Sequence, residues 1–287
     1  MKDSEIKESR QMLRLVQEHL FNAHAKVGAT QTQLGLVDVI HHLNSILPHL
    51  NYVTPRRNTA WVPAPEIEKG MKHLKELGRT PRVNYIEGLF PPVFAKSLLA
   101  LGLKVVEEKP IMVYKLDEEN EADKQLPVNI TVSPANDQQA IGLWWYIWRN
   151  AYYDVITNGI EPIKIGEEMQ AITNGHQTDL IMYRDNLPIG VARVTYHENT
   201  AHLTTLVMMK EFRKEHLIKA FYKAACAVAS IKGSDFIFTS GESATDRKVC
   251  REVGFTDVGS MVCYAETADK PSEETHDDNL AQPLFAH

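Results

Sequence analysis

Residues 201–233 read AHLTTLVMMKEFRKEHLIKAFYKAACAVASIKG. Lys210, Arg213, Lys214 and Lys219 outnumber Glu211 and Glu215 there, so the segment is net basic. The apolar run 201–209 predicts a buried strand. After the charges, Leu217, Ala220, Phe221, Ala224, Val228 and Ile231 fall at the spacing of one apolar helix face, and Gly233 is the stop. A strand entering a helix through a basic turn can hold a phosphate, because the first helical N–H groups are free and the dipole is positive there. Such turns are usually glycine-rich so that the backbone can approach the ligand. This turn has no glycine, and a solvated helix with a charged start is the competing reading.

The elements around this turn follow from periodicity and punctuation. A first helix is predicted up to about Gly28, with Leu13, Val16, Leu20 and Ala23 on one face. A second is predicted over roughly 32–47, with Leu36, Ile40, Leu43 and Leu47 on one face and Pro48 as its end. LNYVTP (50–55) reads as a strand, a helix follows from Pro63 and Pro65 to Gly78, RVNYIE (82–87) is a strand, and a helix runs from Pro91 to Gly102. KVVEEKPIMVYKL (104–116) predicts one or two strands. The acidic DEENEADKQLP (117–127) reads as a linker, and the last twenty or so residues as a disordered tail. Between them come a strand at VNITVS, helices near 136–149 and 166–172, and a β-meander. The meander comprises DLIMYR, IGVARVTYH and AHLTTLVMM, with a turn at Asp185-Asn186. The basic turn and its helix precede a strand at DFIFTS, a helix near 243–253 and strands through SMVCYA.

The two halves share an ending. AKSLLALGLKVVEEKPIMVYKL (95–116) and DRKVCREVGFTDVGSMVCYA (246–265) both run helix, glycine-apolar pair, strand, then Met-Val and a tyrosine. Gly102-Leu103 aligns with Gly254-Phe255, and Met112-Val113 with Met261-Val262. The upstream order of strands and helices also matches, which points to two copies of one α/β module, the first eroded.

At 287 residues with 44% apolar and 24% charged side chains, the composition is that of an ordinary globular protein. A formal net charge of −6 argues against coating nucleic acid, and no apolar run reaches membrane-spanning length. MKDSEIKESR is polar, without a signal-peptide core. Cys226, Cys250 and Cys263 are too few for a disulfide framework, which predicts a cytoplasmic chain with reduced thiols.

The stretch of about 128–265 resembles the GNAT superfamily of acetyl-CoA-dependent N-acyltransferases. The resemblance rests on LPIGVARVTYH, on HLTTLVMMKEFRKEHLIKAFYKAACAVASIKG, on DFIFTS, and most specifically on ESATDRKVCREVGFTDVGSM. It implies a fold of two GNAT-like modules, each a mixed central sheet flanked by helices: a degenerate one over 1–116, the 117–127 linker, and an acyl-CoA module over 128–265, followed by the tail at 266–287. The first module lacks the family's charged phosphate turn after LNYVTP, where RRNTAWVPAP stands. The family's R-x-x-G-x-G or R-x-x-G-x-A turn falls on Arg213, Lys214, Glu215, His216, Leu217 and Ile218. His216 and Ile218 replace both small residues, and a branched Ile218 facing the ligand would be the costlier change.

By the same resemblance, Val207 and Met208 hold the carbonyl and the pantetheine arm, and Ser243 takes the place of an asparagine that opens the closing helix. The family's frequent general base, a carboxylate, falls on His202, and its general-acid tyrosine on Cys250. A histidine can accept a proton from an ammonium and a thiol can protonate a thiolate, but a half-exposed strand residue and a small core residue are the competing readings. His197 and His202 lack a third metal ligand, so no metal is expected. The helix WWYIWRNAYY, with six aromatic rings, would border the acceptor pocket, although most of them default to core. The implied function is transfer of an acetyl or similar acyl group from acetyl-CoA to a primary amine, on a small molecule or peptide. No nucleic acid or membrane is involved, and a homodimer is allowed. The alternative is a catalytically degraded relative acting as a binding or regulatory module.

Overall fold

The computed structural model describes residues 3–59, 61–116, 126–154, 160–241 and 243–266. Most of the proposed linker and the tail therefore lie outside the described residues. The chain divides into two compact units, Met1–Ile111 with Val258–His287, and Met112–Asp257.

The first unit starts with α1 (Asp3–Lys26), whose Leu13, Val16 and Leu20 are buried as the spacing predicts. The predicted second helix does not form. Its residues make a hairpin of β1 (Ala29–Leu34) and β2 (Val37–His42), with Leu34 opposite Val37. Gly35, at φ +59°, occupies the first central position of the two-residue turn, the place a type II′ hairpin gives to glycine. Thr30, Thr32, Val37 and Val39 favour extended backbone. Leu36 and Leu43, expected on a buried helix face, are exposed. Then follow β3 (Tyr52–Pro55), α2 (Ala64–Glu76), β4 (Arg82–Ile86), α3 (Val93–Ala100) and β5 (Lys104–Lys115), a single strand. β1, β2 and β3 are antiparallel neighbours, β3 and β4 are parallel through Val53 and Val83, and β4 pairs antiparallel with β11 (Thr256–Ala265). Val39, Val53, Ile67, Leu74, Val83, Phe94, Leu98 and Val262 form the core between this sheet and its helices.

The second unit contains β6 (Ile130–Pro134), α4 (Gln138–Tyr153), α5 (Pro162–Thr173), β7 (Gln177–Arg184), β8 (Leu187–His197) and β9 (Thr200–Met208). The chain continues through α6 (Glu215–Ile231), β10 (Phe236–Thr239) and α7 (Ala244–Val253). β6 to β9 form an antiparallel meander, β9 and β10 run parallel, and the end of β5 pairs antiparallel with β10. Asp185 and Asn186, at φ +49° and +67°, make the predicted turn between β7 and β8. Each unit thus takes one strand from the other half of the sequence: β11 beside β4, and the end of β5 beside β10. The two glycine-apolar pairs play equal roles, since Gly102 and Gly254 both end helices at positive φ while Leu103 and Phe255 are buried. Both units are mixed sheets flanked by helices, as expected. No helix among the described residues is long and apolar enough to cross a membrane.

Candidate active site

β9 and β10 are paired only at their start, Thr200 to His202 against Phe236 to Phe238. The Thr239 hydroxyl donates to the Leu203 carbonyl at 3.1 Å, and there β10 ends while β9 runs on to Met208. Thr204, Thr205, Leu206 and Val207 are consequently half-buried along an edge that pairs with no strand on that side among the described residues. A bulge bends β9 at the same point. Arg193 pairs with Thr205 and Val194 with Leu203, which leaves Thr204 over, and its hydroxyl donates to the Arg193 carbonyl at 3.3 Å.

The open edge leads through a short 3-10 turn, Lys210–Phe212, to the start of α6. Lys214 is the N-cap and contributes no side-chain cap bond. The first amides of any helix have no intrahelical partner, so this end presents free donors. Arg213, Lys214, Glu215 and His216 are exposed around it. Leu217 is buried and Ile218 packs against the core, so the branched side chain does not stand over the helix mouth. Leu217, Ala220 and Phe221 are buried as expected, Ile231 is 84% exposed, and Tyr222, Ala225, Cys226 and Ala229 complete the buried stripe.

The basic side chains here are largely engaged. Arg213 donates to the Met208 carbonyl at 3.0 Å, to the Ala151 carbonyl and to Asp154. Lys219 and Lys248 each bridge Glu215 on α6 and Glu252 on α7. Hydrogen bonds from Lys219 and Lys248 hold the Glu215 carboxyl down to about 2.

Ser243 caps α7, accepting from the Asp246 amide at 3.0 Å while Asp246 accepts from the Ser243 amide, a complete capping box. Cys250 lies in the core at 0% exposure, and burial pushes its thiol up, with a hydrogen bond from Tyr222 opposing. His202 is also buried, its ring stacked on Phe238 with centroids 4.2 Å apart. Val207 and Met208 are the last residues of β9, opposite Val191 and Gly190. On α4, Trp144, Trp145 and Trp148 are buried while Tyr146 and Tyr153 are exposed. No group of three or more His, Cys, Asp or Glu among the described residues is placed to hold a metal ion.

One constellation escaped the sequence reading. Arg193 on β8 is 3% exposed and grips Asp179 on β7 with two bonds of 2.7 Å. It also reaches Glu168 on α5 at 2.9 Å and lies 4.4 Å over the Trp144 ring. Burial pushes Asp179 up and the guanidinium pulls it back, while the two carboxylates keep Arg193 charged against its own burial. The signal was an ionic residue inside each of two apolar strands, which the register sets opposite one another.

No protein-family model matches the sequence, and no curated protein matches it. Solved structures do. A GCN5-related N-acetyltransferase from Kribbella flavida superposes with a TM-score of 0.65 at 14% identity, over 89% of this chain and 94% of that one. The chain has the GNAT fold. A second GCN5-related N-acetyltransferase, from Sphaerobacter thermophilus, gives a TM-score of 0.54 at 12% identity over 81% of each chain. A tandem GNAT protein from the clavulanic acid biosynthesis pathway gives 0.52 at 14% identity, covering 79% of this chain and 77% of that one.

Proposed function

We propose that the second unit binds acyl-CoA and transfers its acetyl group to a primary amine. The observation that carries this reading is the unpaired edge of β9 running into the uncapped start of α6. An extended amide-bearing chain can pair with a free strand edge, and a pyrophosphate can sit on free helix amides. The pantetheine arm and thioester carbonyl then lie along Val207 and Met208, and the pyrophosphate meets the amides from Arg213 to Ile218. The amine attacks the thioester carbon, a C–N bond forms and the C–S bond breaks. The nitrogen gives up its proton to water at the open edge, since His202 is itself buried against Phe238, and the departing thiolate takes one from solvent. Cys250 is enclosed by the core and Ser243 is spent on its capping box, so neither side chain carries a step. The exposed rings of Tyr146 and Tyr153 suit an acceptor with a cationic or apolar body.

A binding or regulatory module is the second reading. It draws on the neutralised Arg213 and the Glu215 carboxylate at the mouth of α6. Two measurements separate the readings. Acetyl-CoA at a hundredfold excess over Kd should stabilise the protein by about 2.7 kcal/mol, and a panel of amines should release free thiol from it. Thiol release supports the transferase, whereas no thermal shift at millimolar acetyl-CoA, or binding without thiol release, sinks it and leaves the module.

A further inference from the structure

We propose that the first unit holds a separate site for a small organic dianion, built by Arg10, Arg14 and Arg57. These residues line a cavity of about 500 Å³, within the ~300–1,000 Å³ range of ligand pockets. On α1, Arg10, Arg14 and Glu18 recur every four residues and so share one helix face. Arg57 comes from RRNTAWVPAP, the stretch after β3. Leu89 and Phe90 close the cavity from the loop after β4. The loops after β3 and β4 leave the same ends of two parallel strands, the place where open α/β sheets bind ligands.

Charge points to the ligand class. Three guanidinium groups face one carboxylate, Glu18, in a chain whose formal net charge is −6. Arg57 spends one donor on Glu18 at 3.3 Å, and Arg10 one on the Leu89 carbonyl at 3.0 Å. A guanidinium has five N–H donors, so both keep most of theirs. No hydrogen bond or ion pair engages Arg14 among the described residues. Arginine forks match phosphate and carboxylate oxygens two at a time. Leu89 and Phe90 give the cavity an apolar wall, so the anion carries an apolar or aromatic body.

Calorimetry on the full chain with phenyl phosphate, phthalate and benzyl alcohol tests this. Phenyl phosphate and phthalate separate a phosphate from a dicarboxylate source, and binding of either supports the site. Benzyl alcohol, which is neutral, should not bind. Arg14→Gln and Arg57→Gln should each weaken the anion by about tenfold or more, with an unchanged melting temperature because both side chains are exposed. Saturating acetyl-CoA should leave the anion's Kd as it was. The proposal falls if neither anion binds, if benzyl alcohol binds as well as they do, if the glutamine variants bind normally, or if acetyl-CoA displaces the anion. None of these outcomes depends on acyl transfer in the second unit.

Discussion

The Arg213 guanidinium is clamped by Asp154, with Nη2 2.5 Å from Oδ1 and Nη1 3.2 Å from Oδ2. The same group holds the Met208 carbonyl. Arg213 therefore ties the end of β9 to the end of α4 and braces the turn, while its charge is largely cancelled. Anion binding at α6 must rest on backbone amides more than on this side chain.

Removing the clamp should strengthen acetyl-CoA binding. Asp154→Ala leaves the cation without its carboxylate near the helix mouth, and the expected gain is several-fold in Kd at low salt, fading as ionic strength rises. Both partners are partly exposed, so losing the pair itself costs little, but Asp154 caps α4 at φ +53°, where alanine adds a backbone cost of about 1–2 kcal/mol that Asp154→Asn avoids. Titration calorimetry at two salt concentrations is the check. Weaker binding in the variant would mean that the brace matters more than the freed charge.

Cys250 should matter for packing and not for the chemical step. Its side chain is enclosed by the α6–α7 core, beside Tyr222 and Cys226. General acids act on groups within hydrogen-bond reach or one water away, and their loss typically costs ~100-fold or more in rate. Cys250→Ala should lower the melting temperature by a few degrees, as expected for about 1 kcal/mol lost from a buried small side chain, and cut thiol release far less than that. Abolished turnover with intact acetyl-CoA binding would reinstate the thiol as a catalytic group.

What was legible in the sequence depended on the range of the interaction. The Asp185-Asn186 turn, the helix starts at Pro63 and Ser243 and the repeated glycine-apolar pairs are local, and each reappears in the fold. The β1–β2 hairpin was misread because Leu36, Ile40, Leu43 and Leu47 mimic helical spacing, whereas Gly35 and the threonines and valines around it decide the backbone. The turn Arg213–Ile218 was located, but Asp154 lies 59 residues away from Arg213, and nothing nearby announces that clamp. Arg193 and Asp179 stood in plain view as charges in apolar strands; only the register shows that they meet. The exchange of β5 and β11 between the units leaves no mark on local periodicity.

Acid should loosen the first unit through His24. Burial, with a smaller push from His49, lowers its pKa from 6.5 to about 3, and its Nδ1 lies 3.0 Å from the Tyr52 hydroxyl. The folded chain keeps the imidazole neutral while the unfolded chain takes up a proton below about 6.5, so stability falls as pH drops from there towards about 3. The loss approaches about 1.4 kcal/mol per pH unit. Between pH 7 and 4.5 the protein should lose about 2.5 kcal/mol more than His24→Gln, whose amide cannot charge. Urea denaturation followed by circular dichroism at both pH values measures the difference. Parallel losses in the two proteins would show that His24 is not the group being protonated.

The buried ion cluster should be costly to break and cheap to replace. Arg193 answers two carboxylates, Asp179 and Glu168, and Gln177 donates to Glu168 at 2.6 Å. Arg193→Met strands Asp179 in the interior and leaves Glu168 with Lys164 at 3.7 Å and Gln177 alone, and removing one partner of a buried pair costs about 3–5 kcal/mol. Adding Asp179→Asn and Glu168→Gln removes the stranded charges and should recover more than half of that loss. Protonation offers the same relief, so the single variant should regain stability on mild acidification more than the triple variant does. The sign follows from linkage: burial already pushes the Asp179 carboxyl above its ordinary value, and with the Arg193 counter-charge gone its folded pKa stands further above the unfolded one, so stability is lost as pH rises through that value. Guanidinium denaturation of the three proteins at pH 7 and pH 5 tests both statements. A single-variant cost below about 1 kcal/mol would mean that water reaches the cluster and that Arg193 is not its keystone.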